Sequence, residues 1–291
     1  MKGIVVAGGL GSRLYPVTAV FSKHLLPIYD KPMIYYPISV LMLAKIKEIL
    51  IVCTNNDLRL YEDLLGDGSK FGISISYEIQ EKPSGIPEAL IIGENFIGDD
   101  NVCMILGDNI FYGHDFSTYL LNASQLKEGA ITFGYQVKDP KRFGVVNFDH
   151  NGKITSLEEK PSNPMSNIAL TGLYFYDNKC ISYAKSLKPS NRGELEITDL
   201  NKIYLNNKKL NCKILGRGFS WLDTGTHESL LLASQFVQII EERTGTKIAC
   251  LEEIGFNNDW ISMEDIRINN KDFVSGSYYN YIKEISSNED Q

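Results

Sequence analysis

The sequence predicts an α/β fold, a mostly parallel mixed sheet flanked by helices. Three observations predict it. The first half alternates apolar strand-like runs with helical stretches in the order strand, helix, strand, helix, strand. Its strands at 2–7, 48–53 and 101–106 are apolar on both faces, as strands covered from two sides must be. A glycine loop directly follows the first strand, on the rim where open α/β sheets hold ligands.

Lys2-Gly3-Ile4-Val5-Val6-Ala7 is β-branched and apolar and reads as a short buried strand. Gly8-Gly9-Leu10-Gly11-Ser12-Arg13 follows it. Three glycines in four positions free the backbone from Cβ clashes, so successive N–H groups can turn toward one bound group. Arg13 adds a planar cation with five donors, and Ser22-Lys23-His24 brings a second cation. The stretch reads as a polyphosphate cradle, with a glycine-rich surface turn as the plainer alternative. It is not a P-loop, which ends in Gly-Lys-Ser/Thr, and the dinucleotide fingerprint needs a glycine where Leu14 stands.

Asp30-Lys31-Pro32 then makes a turn, Pro37 opens a helix to about Ala44, and 48–53 forms the second strand. Asn55 or Asn56 caps a helix through Leu65 that Gly66-Asp67-Gly68 stops. Residues 73–77 alternate as a third strand, which places the loop from Gln80 to Ala89 on the same rim as the glycines. Gln80 offers a donor and an acceptor that match the imide edge of a pyrimidine, but from its sequence context alone the plainer reading, a solvated loop residue, is preferred.

The strand at 101–106 ends in Gly107-Asp108-Asn109. A carboxylate just after a buried strand is a common holder of a divalent cation beside phosphates, although Asp there also caps turns. Strands follow at 129–136, 143–148 and 154–158. The last runs into Glu159-Lys160-Pro161, which offers a carboxylate to sugar hydroxyls and an ammonium to a sugar phosphate, or is simply a polar turn. The aromatic strand 169–176 carries Thr171-Gly172, where glycine permits close approach by a ligand. A helix is expected from Gly193 to about Asn206. Asp223, within Trp221-Leu222-Asp223-Thr224-Gly225, is a second isolated acid. With Asp108 it would complete a two-carboxylate magnesium site; alternatively it caps the helix at 227–242, a task open to Thr224 and Thr226 as well. From Leu251 the pattern is helical, with Trp260 and a polar tail. No repeat or linker appears, so one catalytic domain over 1–240 with a helical extension over 241–291 is expected.

At 291 residues, 43% apolar and 22% charged, the chain has the composition of a globular protein with a large core. Its formal charge of −7 argues against general nucleic-acid binding and requires any anionic substrate to be drawn by a few placed cations or a metal. The most apolar segment, 33–53, is broken by Lys45, Lys47 and Glu48 and does not span a bilayer. No signal-peptide pattern is read at the N-terminus. Five scattered cysteines without a Cys-x-x-Cys pair read as reduced core thiols, which fits a cytoplasmic protein.

Seven of these stretches resemble motifs of the sugar-phosphate nucleotidylyltransferases. They are Gly-Gly-Leu-Gly-Ser-Arg-Leu at 8–14, Tyr-Asp-Lys-Pro-Met-Ile-Tyr-Tyr-Pro at 29–37 and Gly-Asp-Asn-Ile-Phe-Tyr-Gly-His at 107–114. Leu-Glu-Glu-Lys-Pro at 157–161, Thr-Gly-Leu-Tyr-Phe-Tyr-Asp at 171–177, Arg-Gly-Glu-Leu-Glu-Ile-Thr-Asp at 192–199 and Trp-Leu-Asp-Thr-Gly-Thr-His-Glu-Ser at 221–229 complete the set, in order along nearly the whole chain. The resemblance implies a Rossmann-like nucleotidyltransferase fold. It also implies a reaction in which the phosphate of glucose 1-phosphate attacks the α-phosphorus of dTTP, releasing pyrophosphate in the first step of a dTDP-rhamnose or deoxysugar route. By the same likeness Gly8, Gly9, Gly11 and Ser12 with Arg13 hold the triphosphate, Lys23 neutralises charge at the α-phosphate and Lys160 holds the sugar phosphate. Asp108 and Asp223 carry Mg²⁺, Gln80 and Gly85 meet thymine, and Gly144 and Glu159 hold glucose. His24, Thr171, Tyr174 and Trp221 complete the candidate contacts. No general base is required, because the attacking phosphate is already anionic, so catalysis rests on positioning and charge neutralisation.

The chain departs from the family pattern in three places. His24 stands where glutamine is usual, the loop at 81–88 reads Glu-Lys-Pro-Ser-Gly-Ile-Pro-Glu, and Asn257 lies where relatives carry arginine near a regulatory site. Feedback by dTDP-rhamnose and a homotetramer are further implications of the likeness. The readings kept open are a dTTP-using transferase, one that uses UTP or several nucleotides, and a non-catalytic nucleotide-sugar sensor.

Overall fold

A computed structural model describes residues 1–9, 11–272 and 275–288; Leu10 of the glycine loop, residues 273–274 and residues 289–291 of the polar tail lie outside the described residues. The chain opens with β1 (Lys2–Ala7), a small hairpin of β2 (Pro27–Ile28) and β3 (Lys31–Pro32), and helix α1 (Tyr35–Leu43). Then come β4 (Glu48–Cys53), α2 (Leu58–Leu65), β5 (Ser74–Ile79), α3 (Glu88–Ile92), α4 (Glu94–Ile97) and β6 (Val102–Leu106). β1 pairs parallel with both β4 and β6, and β5 pairs parallel with β4. The expected parallel half is therefore present, with β1 at its centre and the loops after β1, β5 and β6 on one rim.

The second half turns the sheet mixed. It comprises β7 (Asn109–Gly113), α5 (Phe116–Ser124), β8 (Ala130–Gln136), β9 (Gly144–Phe148), β10 (Ile154–Glu159), β11 (Ile168–Tyr176), α6 (Cys180–Ser186), α7 (Ile197–Asn206), β12 (Leu210–Leu215), β13 (Phe219–Asp223) and α8 (His227–Thr244). β11 runs antiparallel to β6 and passes the sheet on to β8 along most of its length and to β9 at Ala169. A register shift between Leu170 and Tyr174 accompanies this branching. β7 and β13 stand apart as a two-stranded antiparallel ribbon.

Several local expectations shift. The first helix begins at Tyr35, so Pro37 sits third rather than first, where its missing N–H is still harmless. Asn55 and Asn56 do not cap α2; Asp57 precedes it, with its carboxylate engaged by Thr54 Oγ1 at 2.7 Å. The helix expected from Gly193 begins at Ile197, because residues 190–196 form a loop closed by Ser190 and Arg192 on Glu196. α1 is buried from Tyr35 to Met42, which explains the long apolar segment without a membrane. No helix among the described residues is long and apolar enough to cross a bilayer.

One apolar cluster joins α1 to one face of the sheet through Val5, Ile51 and Ile105. Another covers the opposite face through Ile4, Leu50, Met104 and Tyr176. Alternation along β1, β4 and β6 thus feeds two cores. The extension consists of α9 (Leu251–Asn257), α10 (Met263–Asn269) and α11 (Ser277–Asn288), and α8 runs unbroken past residue 240 toward it. All five cysteines are free thiols, four of them buried.

A buried charge square ties the extension down. Lys31 Nζ lies 2.6 Å from Asp30 Oδ1 and 2.8 Å from Glu241 Oε1. Lys247 Nζ contacts the other oxygen of each acid, at 2.7 Å for Glu241, and Ser277 Oγ donates to Asp30 at 2.9 Å. Burial alone would raise the Asp30 carboxyl, but Lys31 and Lys247 hold it below the ordinary carboxylate range. Removing one member leaves a buried acid short of its partner. Lys31→Met is therefore expected to lower stability by about 3 kcal/mol, read from the urea unfolding midpoint.

Candidate active site

The rim after β1 is shaped by side chains that need glycine beside them. Gly8 is buried against Gln80, whose Oε1 would collide with any Cβ at that position. Gly11 has φ +61° and opens a short 3-10 turn over Ser12–Leu14, which carries Arg13. The Arg13 guanidinium crosses to Gly225, where a Cβ would stand 2.6 Å from Nη2. Lys23 passes close to Gly9, and its Nζ lies 2.5 Å from Asp108 Oδ2.

Asp108 and Asp223 come together through the β7–β13 ribbon. Asp108 directly precedes β7, and Asp223 pairs with Asn109 in register at the end of β13. Thr224 donates to the Asp108 carbonyl from both its backbone N–H and its hydroxyl, at 3.1 and 2.8 Å. The capping alternative for Asp223 is excluded, since Thr226 caps α8 in a capping box with Ser229. The two carboxyls shift in opposite directions. Burial would raise Asp108, but the Lys23 ammonium holds it well below the usual carboxylate range. Asp223 is raised by burial and by the charge of Asp108 beside it, against opposing pull from Lys23, Arg13 and Arg142. Among the described residues no group of three or more His, Cys, Asp and Glu gathers. Two carboxylates are nevertheless a fitting protein share for Mg²⁺, which takes its remaining ligands from water and phosphate.

Opposite them lies a cavity of about 210 Å³ between β10, β11, α7 and the ribbon. Arg13, Asp108, Gly144, Glu159, Lys160, Tyr174, Trp221 and Asp223, all singled out from the sequence, line it. Glu159 accepts from Thr198 Oγ1 at 2.5 Å and has Lys160 Nζ at 3.6 Å. Thr198 thus fixes one carboxylate oxygen, and the other faces Lys160 and, at 3.7 Å, Arg192 Nη2.

Other expected contacts fall elsewhere. His24 is 1% exposed, tucked behind Gly107 with Nδ1 at 3.2 Å from Ser22 Oγ, so it does not face the cleft as a phosphate ligand. Burial and the neighbouring Lys23 push its pKa down to about 3, which keeps it neutral. Thr171 is fully buried, and its neighbours Leu170 and Gly172 line the cavity in its place. Gly85 has φ +115° and lies directly on the Leu195 backbone, where Leu195 N–H donates to Ser84 O at 2.7 Å. It joins two loops by backbone contact.

Gly172, read from the sequence as a point of close ligand approach, lines the cavity, whereas three polar lining residues carry no such signal: Asn109, Arg142 and Thr198. Asn109 is the hub. Its Oδ1 accepts from Trp221 Nε1 at 2.6 Å and from Gly172 N–H at 2.9 Å, while Nδ2 donates to Asp108 Oδ1 at 3.0 Å. An Asn after an Asp reads as turn chemistry, and nothing local signals partners 63 and 112 positions away. Arg142, 3.9 Å from Asp223, was visible only as a charge ahead of a strand.

Residues 2–239 match the family described as nucleotidyl transferase. A glucose-1-phosphate thymidylyltransferase of Neisseria meningitidis is 56% identical over 97% of this chain and 98% of its own length. One from Mycobacterium tuberculosis is 48% identical over 98% and 99%. Among solved structures, a Bacillus anthracis protein provisionally assigned as a glucose-1-phosphate thymidylyltransferase, in complex with sucrose, superposes with TM-score 0.76 at 46% identity. It covers 81% of this chain and 94% of its own. A UDP-glucose pyrophosphorylase with UDP-glucose gives 0.72 at 25% identity, covering 82% and 98%.

The hub carries a direct expectation. Asn109→Ala strands the indole N–H of Trp221 and the N–H of Gly172, so it should lower stability by about 2 kcal/mol, measured by thermal unfolding. Trp221 fluorescence should shift with it, because the ring loses its anchor.

Proposed function

The chain belongs to the nucleotidyl transferase family, and we propose that within it the protein acts as a glucose-1-phosphate thymidylyltransferase, moving dTMP from dTTP to glucose 1-phosphate with release of pyrophosphate. One observation supports this above the rest. Two cations and two carboxylates from β1, β6 and β13 meet on one side of a cavity whose other side offers Glu159 and Lys160. That arrangement suits two anions that must be brought into line.

In this reading the glycine loop and Arg13 hold the triphosphate, and Lys23 turns from Asp108 toward the phosphate that is attacked. Lys160 steadies the attacking phosphate; Gly144 and Glu159 fix the glucose hydroxyls. Gln80 meets the imide edge of the base. Asp108 and Asp223 would hold Mg²⁺, which when bound supplies charge neutralisation at phosphate oxygens. One P–O bond forms and one breaks, no proton is transferred, and the residues act through placement. The division into a catalytic unit over 1–240 and an extension over 241–291 belongs to the same proposal. So do a homotetramer, a cytoplasmic location that fits five free thiols, and feedback by dTDP-rhamnose despite Asn257.

The test is pyrophosphate release with glucose 1-phosphate and each of dTTP, UTP, dCTP and ATP. Activity highest with dTTP supports the reading; equal or greater activity with UTP favours the broader transferase, and none with any nucleotide favours a sensor. Asp108→Asn is expected to reduce the rate by roughly 10² to 10³ at saturating substrates. Unchanged turnover in that variant would remove Asp108 from the site.

A further inference from the structure

Gln80 closes β5 at the cleft, 6% exposed, with its N–H on Cys53 O at 2.8 Å. Its side-chain amide is not free to turn. Nε2 donates to Glu88 Oε2 at 2.6 Å, from the first residue of α3, and stands a loose 3.4 Å from Gly85 O. A carboxylate only accepts, so nitrogen must face Glu88 and the oxygen must face Gly8. The loop over 81–87 folds Glu88 back onto a residue eight positions earlier to make this bond.

The orientation has a chemical consequence. One N–H of the amide is taken by Glu88 and the other reaches Gly85 O only at 3.4 Å, which leaves an edge made of the carbonyl oxygen and a weakly held N–H. That edge complements an imide, in which a ring N–H donates next to a carbonyl acceptor, as in thymine and uracil. Cytosine presents the reverse order, an acceptor ring nitrogen next to an amine. To pair with cytosine the Gln80 amide would have to exchange O and N, which would turn its oxygen onto the Glu88 carboxylate.

We propose that Glu88 is a positioning residue that locks the Gln80 amide and so makes the base site select thymine or uracil over cytosine. This rests on the reading that Gln80 meets the base. The alternative is that the bond merely holds the loop.

Steady-state kinetics with dTTP, UTP and dCTP separate these. Glu88→Gln offers Gln80 either a donor or an acceptor, so the lock is lost. The ratio of kcat/KM for dTTP over dCTP should fall about tenfold, mainly through KM, while dTTP over UTP stays level. An unchanged dTTP-to-dCTP ratio, or an equal loss with all three nucleotides, overturns the inference. Gln80→Ala is the control on the underlying reading. If it leaves the ratio untouched, Gln80 does not meet the base; if it lowers the ratio while Glu88→Gln does not, only the role of Glu88 fails.

Discussion

The contact of Lys23 with Asp108 sets the electrostatics of the cleft. A buried carboxylate without a partner is strongly disfavoured, and Lys23 supplies that partner from a loop 85 residues away in sequence. Asp108 therefore stays ionised, and burial together with the charge of Asp108 pushes up Asp223. Of the two carboxylates, the charged form of Asp108 is favoured and that of Asp223 is disfavoured beside it. A divalent cation between them would relieve their repulsion, and a phosphate arriving with it would give Lys23 a new partner. In a chain of formal charge −7, attraction for such anions has to come from placed cations such as these.

The scaffold makes the contact possible by simple means. β1 and β6 are parallel neighbours, so the loops leaving them emerge side by side, and Gly107 N–H donates to Val6 O to keep them in register. The β7–β13 ribbon then folds Asp223 and Thr224 back over Asp108. Beyond it, α8 leads from the capped turn at Thr226 to Glu241 in the charge square, which also grips the β2–β3 hairpin just after Lys23. Cleft and extension thus share two rigid connections.

What the sequence discloses follows the range of the interaction. The parallel half, the glycine loop, both acids and the Glu159-Lys160 turn are signalled by local pattern: apolar runs ending in glycine, then charge. The chain's second half is only partly legible. That β11 runs antiparallel and serves two neighbours depends on pairings no single segment encodes. His24 resembled a phosphate contact through its neighbour Lys23, yet on this short turn adjacent side chains diverge, one to the cleft and one to Ser22 and Tyr61. Asn109 was hidden for the opposite reason, since its partners come from two distant strands.

The glycines show how far preorganisation extends. The sequence reading values them for bendable backbone, but in the folded protein most make room for another residue's side chain or backbone. Gly8 admits Gln80, Gly107 admits His24, Gly225 admits Arg13, and Gly85 lets its loop lie on Leu195. Each vacancy interlocks two loops of the rim. A reaction that transfers no proton and needs only alignment gains most from such a site, because the ordering of its groups is completed during folding and not at the moment of reaction. The same logic makes these positions intolerant of even a methyl group, so the rim's specificity resides as much in the glycines as in the charges they accommodate.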